Sequence, residues 1–162
     1  MYPVTEIYVI KDILLRHRQT LSVTESVTSG HLQAALSLAE NAACFFQGGL
    51  TVYNLGQKAR QLGIDSIKAL VCNCVSEDIS RHMALSVAAQ FSSDYGISVT
   101  GYASPVPEKN ITDLFAYYAF ACRGVVFASG KLCAAHADAL QVQLFYVDTI
   151  LQKFATYLQK HR

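Results

Sequence analysis

Apolar residues recur with the spacing of a helix in some segments and of a strand in others, and the two kinds of segment alternate along the chain. Helical spacing is seen over 7–15, 31–38 and 54–62, and strand-like runs over 20–26, 48–53 and 97–100. Further elements are a helix capped by Ser76, a hairpin of Leu114–Cys122 and Val125–Cys133, and a last amphipathic helix over 140–158. We therefore predict an α/β fold, a three-layer α/β/α sandwich with a mixed, mostly parallel central sheet.

The composition excludes several classes of protein. The chain has 162 residues, 52% hydrophobic and 15% charged, so we expect one folded domain spanning 1–162. Its net charge is +1 without a basic patch, which argues against a nucleic-acid partner, and its apolar stretches are too short to span a membrane. Because the first residues lack a signal-peptide pattern and the five cysteines are scattered, we expect a cytoplasmic protein without a metal site.

Three segments place hydroxyl groups, a lysine or backbone amides at the end of a predicted strand. They are 24–30, which reads TESVTSG, 48–54 followed by Lys58, and 99–101. A neutral lysine can act as general base for a serine when burial lowers the pKa of its ammonium group. The segments are therefore consistent with a serine activated by a lysine, and their spacing alone is equally consistent with a helix cap and a surface lysine.

In this order, the segments resemble the CinA C-terminal domain family, the nicotinamide-mononucleotide amidases also called PncC. The family pattern has E-S-C-T-G-G, then F-x-G-G-V-V-x-Y with a following Lys, V-S-E, V-T-G-x-A-G-P and P-E-K. Matching stretches here are ESVTSG at 25–30, FQGGLTVY at 46–53 with Lys58, VSE at 75–77, VTGYASP at 99–105 and PEK at 107–109. The similarity runs in register over nearly the whole chain.

This resemblance implies hydrolysis of the carboxamide of nicotinamide mononucleotide to nicotinate mononucleotide and ammonia, without a metal or other cofactor. Ser26 would be the nucleophile and Lys58 the base, while Tyr53 would orient or relay the proton and Thr100 would lie in the same site. Residues expected to bind the substrate are Glu25, Thr28, Ser29, Gly30, Gly49, Gly101 and Ser104. The expected partner is thus a small nicotinamide nucleotide, and the apolar last helix favours a homodimer or higher homo-oligomer.

The chain departs from the family pattern where phosphate is expected to bind. Val27 replaces a cysteine, Ser29 replaces a glycine, and the loop after Ser104 is shorter. No arginine stands at 135–140, so His136 or Lys109 would have to supply a cation. Two alternatives therefore stay open: a binding protein that has lost catalysis, and a hydrolase of an unphosphorylated amide.

Overall fold

The structure is a computed structural model that describes residues 1–161, so Arg162, the last residue of the predicted domain, lies outside the described residues. The strands within residues 1–161 are β1 (Leu21–Glu25), β2 (Phe46–Thr51), β3 (Tyr95–Gly101), β4 (Leu114–Cys122) and β5 (Val125–Ala134). The α-helices of the same range are α1 (Val4–His17), α2 (His31–Ser37), α3 (Leu55–Leu62), α4 (Ser66–Val71), α5 (Glu77–Gln90) and α6 (Ala139–Lys160). Short 3₁₀ turns cover Ala42–Cys44 and Pro107–Lys109.

The five strands form one mixed sheet in the order β2-β1-β3-β4-β5. Strand β1 runs parallel to both β2 and β3, so the carboxyl ends of these three strands meet at one edge. Strand β4 is antiparallel to both β3 and β5. The short turn at Arg123-Gly124 joins β4 to β5 and returns the chain directly along β4. The predicted mixed α/β fold is confirmed, but parallel pairs are half of the neighbouring pairs rather than most of them.

Helices cover both faces of the sheet, which confirms the predicted three layers. On one face, α1, α2 and α6 pack on the strands through an apolar core that includes Leu14, Leu32 and Phe154. On the other face, α5 lies against β1, β3 and β4, with α3 and α4 beside it. Helix α5 approaches the sheet so closely that a Cβ atom on Gly96 would lie 2.1 Å from the backbone oxygen of Ala84.

The apolar face of the long last helix, α6, is buried within the fold. Its buried residues are Val142, Tyr146, Val147, Ile150, Leu151, Phe154, Ala155 and Leu158. They pack against α1, α2, β4 and β5. The stripe that favoured a second subunit is therefore part of the core, and the homo-oligomer stays a prediction.

Helix ends follow the local signals of the sequence where such signals exist. The Ser76 hydroxyl accepts a hydrogen bond from the amide of Ile79 at 3.1 Å and so caps α5. Gly63 ends α3 in the left-handed conformation, with φ +65°. No helix within residues 1–161 is both long and apolar enough to cross a membrane.

Candidate active site

Ser26 stands where β1 ends, at the edge of the sheet that the parallel strands share. Its backbone amide donates to the oxygen of Val99 in β3 at 3.0 Å, and its own carbonyl accepts from the amide of Ser29 at 3.1 Å. The chain therefore leaves the strand in a tight turn, and the residue is buried, with 7% of its surface exposed. A serine at such a turn is held in one place by its backbone.

Lys58 reaches Ser26 from α3. Its Nζ lies 3.3 Å from Ser26 Oγ, 3.0 Å from Thr100 Oγ1 and 3.3 Å from the backbone oxygen of Cys74. The Thr100 hydroxyl in turn donates to the same Cys74 oxygen at 3.0 Å. The structure thus brings together three of the predicted catalytic residues, Ser26, Lys58 and Thr100.

Burial changes the chemistry of Lys58. The residue is only 2% exposed, and removal from water lowers the pKa of its ammonium group from 10.5 to about 8. The nearby side chains of Cys74 and Cys72 raise this pKa and so offset part of the effect. No carboxylate contacts the Nζ atom among the described residues. A substantial fraction of Lys58 is therefore neutral at mildly basic pH, as a general base must be.

A cavity of about 450 Å³ opens above these groups, a volume typical of small-molecule sites. Its wall includes Ser26 and Lys58, together with the predicted residues Tyr53, Gly101 and Ser104. Tyr53 is 67% exposed and forms no side-chain hydrogen bond with a residue in 1–161. Tyr53 thus borders the cavity without a hydrogen bond to Ser26 or Lys58, and its proton-relay role stays a prediction.

Glu25 and Thr28 hold the turn after Ser26 rather than facing the cavity. Both are fully buried, and the Glu25 carboxylate accepts hydrogen bonds from the Thr28 hydroxyl at 2.5 Å and from the amides of Leu32 and Gln33 at 2.9 Å each. The same carboxylate accepts from the Gly30 amide at 3.2 Å. This network fixes the start of α2 and therefore the position of Ser26. The substrate contacts of Glu25 and Thr28 stay a prediction.

Three further predicted binding residues also lie outside the cavity wall. The exposed Ser29 and its neighbour Gly30 both have left-handed backbone angles, with φ +47° and +98°. Gly49 lies within β2, where a Cβ atom would be 2.4 Å from the backbone oxygen of Val23. Gly49 is therefore required by strand packing and Gly30 by the shape of the turn, whereas Ser29 adopts a left-handed angle that strains a residue with a side chain.

Sequence reasoning missed the backbone oxygen of Cys74, which accepts from two site residues. Asn73 and Cys74 both have left-handed backbone angles, φ +51° and +61°, and this turn after α4 directs the carbonyl toward Lys58. A backbone acceptor leaves no residue-type signal, so the pattern of side chains could not reveal it. Strained left-handed pairs are common at functional sites.

The two cation candidates of the sequence analysis occupy different places. Lys109 is in the wall of the main cavity. His136 instead lines a separate pocket of about 260 Å³, with Asp113 and Lys131 among its neighbours. Of these two side chains, only that of Lys109 faces the cavity that holds Ser26.

Comparison with known proteins gives one consistent family. The model of the CinA C-terminal domain family matches residues 6–140. A CinA-like protein from Picosynechococcus is 37% identical over 97 residues, which are 60% of this chain and 23% of that protein. A CinA-like protein from Chlorobium chlorochromatii is 34% identical over 119 residues, 72% of this chain and 28% of that protein. The chain therefore spans about a quarter of the length of these curated relatives.

Solved structures show the same fold over the whole chain. The crystal structure of a competence-damaged protein (CinA) superfamily protein from Enterobacter cloacae has a TM-score of 0.90 at 26% identity, covering 98% of this chain and 93% of that one. Competence damage-inducible protein A from Klebsiella pneumoniae has a TM-score of 0.92 at 24% identity, with both chains fully covered.

Proposed function

Because the chain belongs to the CinA C-terminal domain family, we propose that it is an amidohydrolase that converts nicotinamide mononucleotide to nicotinate mononucleotide and ammonia. The observation that carries the proposal is the 3.3 Å contact between Lys58 Nζ and Ser26 Oγ at a cavity, with burial lowering the pKa of Lys58 to about 8. A serine beside a partly neutral lysine is an activated nucleophile. The carboxamide substrate comes from the resemblance of the site motifs to the family's amidases.

The three oxygen contacts of Lys58 can be made by an ammonium group or by a neutral amine, and catalysis uses the neutral form. A neutral Nζ has two hydrogens and one lone pair. The Cys74 oxygen is an acceptor only, and the Thr100 hydroxyl already donates to that oxygen, so both accept from Lys58. The lone pair is then left for Ser26, whose hydroxyl donates to it. Thr100 and Cys74 therefore orient the base toward the nucleophile.

In the first chemical step, Ser26 Oγ attacks the carboxamide carbon, and its proton passes to Lys58 Nζ. The resulting ammonium gives the proton to the leaving nitrogen, the carbon–nitrogen bond breaks, and ammonia departs, leaving an ester on Ser26. The Val27 amide has no acceptor within residues 1–161, and Val27 lines the cavity, so this amide is a suitable donor to the negative oxygen of the tetrahedral intermediate.

In the second step, water replaces ammonia. Lys58, neutral again, takes a proton from the water that attacks the ester carbon, and then returns the proton to Ser26 Oγ as the ester bond breaks. The product is a carboxylate, so one amide and one water yield one acid and one ammonia. Neither step requires a redox partner, because no atom changes oxidation state.

Ammonia release from nicotinamide mononucleotide tests the proposal. Ser26→Ala and Lys58→Met should each lower kcat by at least about a thousandfold, and the double variant should be little worse, since the two groups act as a unit. Ser66→Ala and Lys68→Met are matched controls, because both side chains are exposed on α4. Circular dichroism should show that all variants keep the fold.

The same assay separates the alternatives left open by the sequence. Ammonia released from nicotinamide riboside but not from the mononucleotide would favour the hydrolase of an unphosphorylated amide. Wild-type protein that releases no ammonia from the mononucleotide, the riboside or nicotinamide would contradict the amidase and favour the binding protein.

A further inference from the structure

Two aromatic rings line the main cavity among the described residues, those of Tyr53 and Tyr102. Tyr53 is largely exposed, whereas Tyr102 is half-buried directly after β3. The Tyr102 amide donates to the backbone oxygen of Phe115 at 2.8 Å and so extends the pairing of β3 with β4. Because residues two apart along a strand face the same side of the sheet, the Tyr102 ring stands on the side where Thr100 contacts Lys58 at 3.0 Å.

The Tyr102 ring is held in place by its surroundings. The carbonyl of Tyr102 accepts a hydrogen bond at 2.9 Å from the hydroxyl of Tyr146, which is fully buried in α6. Its ring meets that of Phe115 edge to face, with the centroids 5.4 Å apart and the planes at 72°. The backbone and the ring are therefore both fixed before a ligand binds, which lowers the entropy lost on binding.

The neighbouring ring of Phe115 already receives a cation from the chain itself. Lys131 Nζ lies 4.1 Å from the Phe115 centroid. Within residues 1–161, no lysine or arginine lies over the Tyr102 ring. Burial raises the pKa of the Tyr102 hydroxyl, so the ring is uncharged at neutral pH. Tyr102 thus presents to the cavity a neutral aromatic ring that has no cation partner in the described part of the chain.

The charges of the cavity wall make such a ring useful for the proposed substrate. Nicotinamide becomes a permanent cation, a pyridinium, when its ring nitrogen carries a ribose. The charged side chains among the described residues of the wall are those of Lys58 and Lys109, and both are basic. This part of the wall therefore has no carboxylate to balance the pyridinium, and an aromatic ring is the other side-chain group that attracts a cation.

From these observations we infer that Tyr102 determines specificity: its ring packs against the pyridinium ring of the substrate and favours this cation over neutral nicotinamide. The inference rests on the proposed function for the identity of the ligand, and it adds the residue that distinguishes a charged ring from a neutral one. Tyr102 stands at the position that the family pattern V-T-G-x-A-G-P leaves open, so the selectivity is a property of this chain.

Binding of 1-methylnicotinamide, which has the charged ring but neither ribose nor phosphate, tests the inference. Ligand-observed NMR titration of the Ser26→Ala protein avoids turnover, and neutral nicotinamide is the matched ligand. The protein with Tyr102 intact should bind the cation about tenfold more tightly than nicotinamide. Tyr102→Leu should weaken binding of the cation about tenfold and of nicotinamide less than about threefold, whereas Tyr102→Phe, which keeps the ring, should bind the cation within about threefold of the intact protein. Tyr8→Leu removes an exposed tyrosine ring from α1 and is the control.

Four results would overturn the inference: no binding of 1-methylnicotinamide at millimolar concentration, unchanged affinity for it in Tyr102→Leu, equal losses of both ligands in that variant, or binding by Tyr102→Phe as weak as by Tyr102→Leu. Kinetics separate this failure from failure of the amidase. Tyr102→Leu should raise KM about tenfold for nicotinamide mononucleotide and for the riboside alike, with kcat little changed, because both substrates have the charged ring. Selective binding of the cation through Tyr102 without any ammonia release by the wild type would contradict only the proposed function. Ammonia release with an unchanged KM in Tyr102→Leu would contradict only the role of Tyr102.

Discussion

Lys58 combines two properties that a surface lysine does not have together. It is almost fully out of water, and its Nζ has three oxygen neighbours, none of which is a carboxylate. A carboxylate partner would have kept the lysine charged, because an opposite charge raises its pKa. The oxygen neighbours therefore satisfy the amine without preventing it from losing its proton.

The pH dependence of the reaction follows from this environment. Only neutral Lys58 can accept the Ser26 proton, so kcat/KM should rise about tenfold per pH unit below pH 8 and level off above it. At pH 7, roughly a tenth of the enzyme is then in the active form. Rates from pH 6 to 10 at constant ionic strength check this prediction, with nicotinamide riboside as a second substrate because it has no titrating phosphate. A rate already at its plateau at pH 6.5 would contradict it.

The cluster of Ser26, Lys58 and Thr100 was predictable at the scale of residues, but its surroundings were not. Ser26, Lys58 and Thr100 could be predicted because each has a reactive side chain within a family motif near a strand end. Glu25 and Thr28 belong to the same motif, yet their side chains turn back into the fold. A motif shows which residues occur together, and it does not show which way each side chain points.

Among the structural elements, the turn between β1 and α2 has an unusual backbone. Ser29 and Gly30 are consecutive residues in the left-handed region, at φ +47° and +98°. Ser29 stands where the family pattern has a glycine and where phosphate is expected to bind. Instead its side chain is exposed and outside the cavity wall, so the cost of the replacement is backbone strain.

Relief of this strain gives a prediction for stability. Ser29→Gly should raise the free energy of unfolding by about 0.5 to 1 kcal/mol, because glycine adopts positive φ without a Cβ clash. Gly30→Ala makes the opposite change at the neighbouring residue and should lower the free energy of unfolding by about 1 to 2 kcal/mol. Urea denaturation measures both. Ammonia release by Ser29→Gly should stay within about twofold of wild type, and a much larger gain would show that Ser29 does affect the site.

Elements with strong local signals were predicted well, and elements without them were not. The capped helix α5 and the hairpin of β4 and β5 follow the sequence pattern closely. Helix α4 was missed because three of its six residues, Ile67, Leu70 and Val71, are apolar and exposed, so it has no amphipathic pattern. The sheet has equal numbers of parallel and antiparallel pairs because of its strand order. The spacing of residues along the chain does not predict that order.

For the whole molecule, the same burial that lowers the pKa of Lys58 weakens the fold. Unfolded, Lys58 has its ordinary pKa of 10.5, and folded it has a pKa of about 8, so the unfolded state binds more protons between these values. Stability due to this group therefore rises with pH from about 8 to 10.5. Below pH 8 both states are protonated, and the folded state carries the full cost of a buried ammonium group.

Removal of the charge should consequently stabilise the protein at neutral pH. The difference between the two pKa values corresponds to about 3 kcal/mol, from which the lost hydrogen bonds of Lys58 are subtracted. We expect Lys58→Met to be more stable than wild type by about 1 to 3 kcal/mol at pH 7, and this difference should shrink as the pH approaches 10.5. Urea denaturation of wild type and Lys58→Met from pH 7 to about 10.5 isolates the contribution of Lys58 to stability, because the two proteins share all other titrating groups. Lys68→Met is the control. A variant less stable than wild type at pH 7 would show that the contacts of Lys58 with Thr100 and Cys74 outweigh its desolvation.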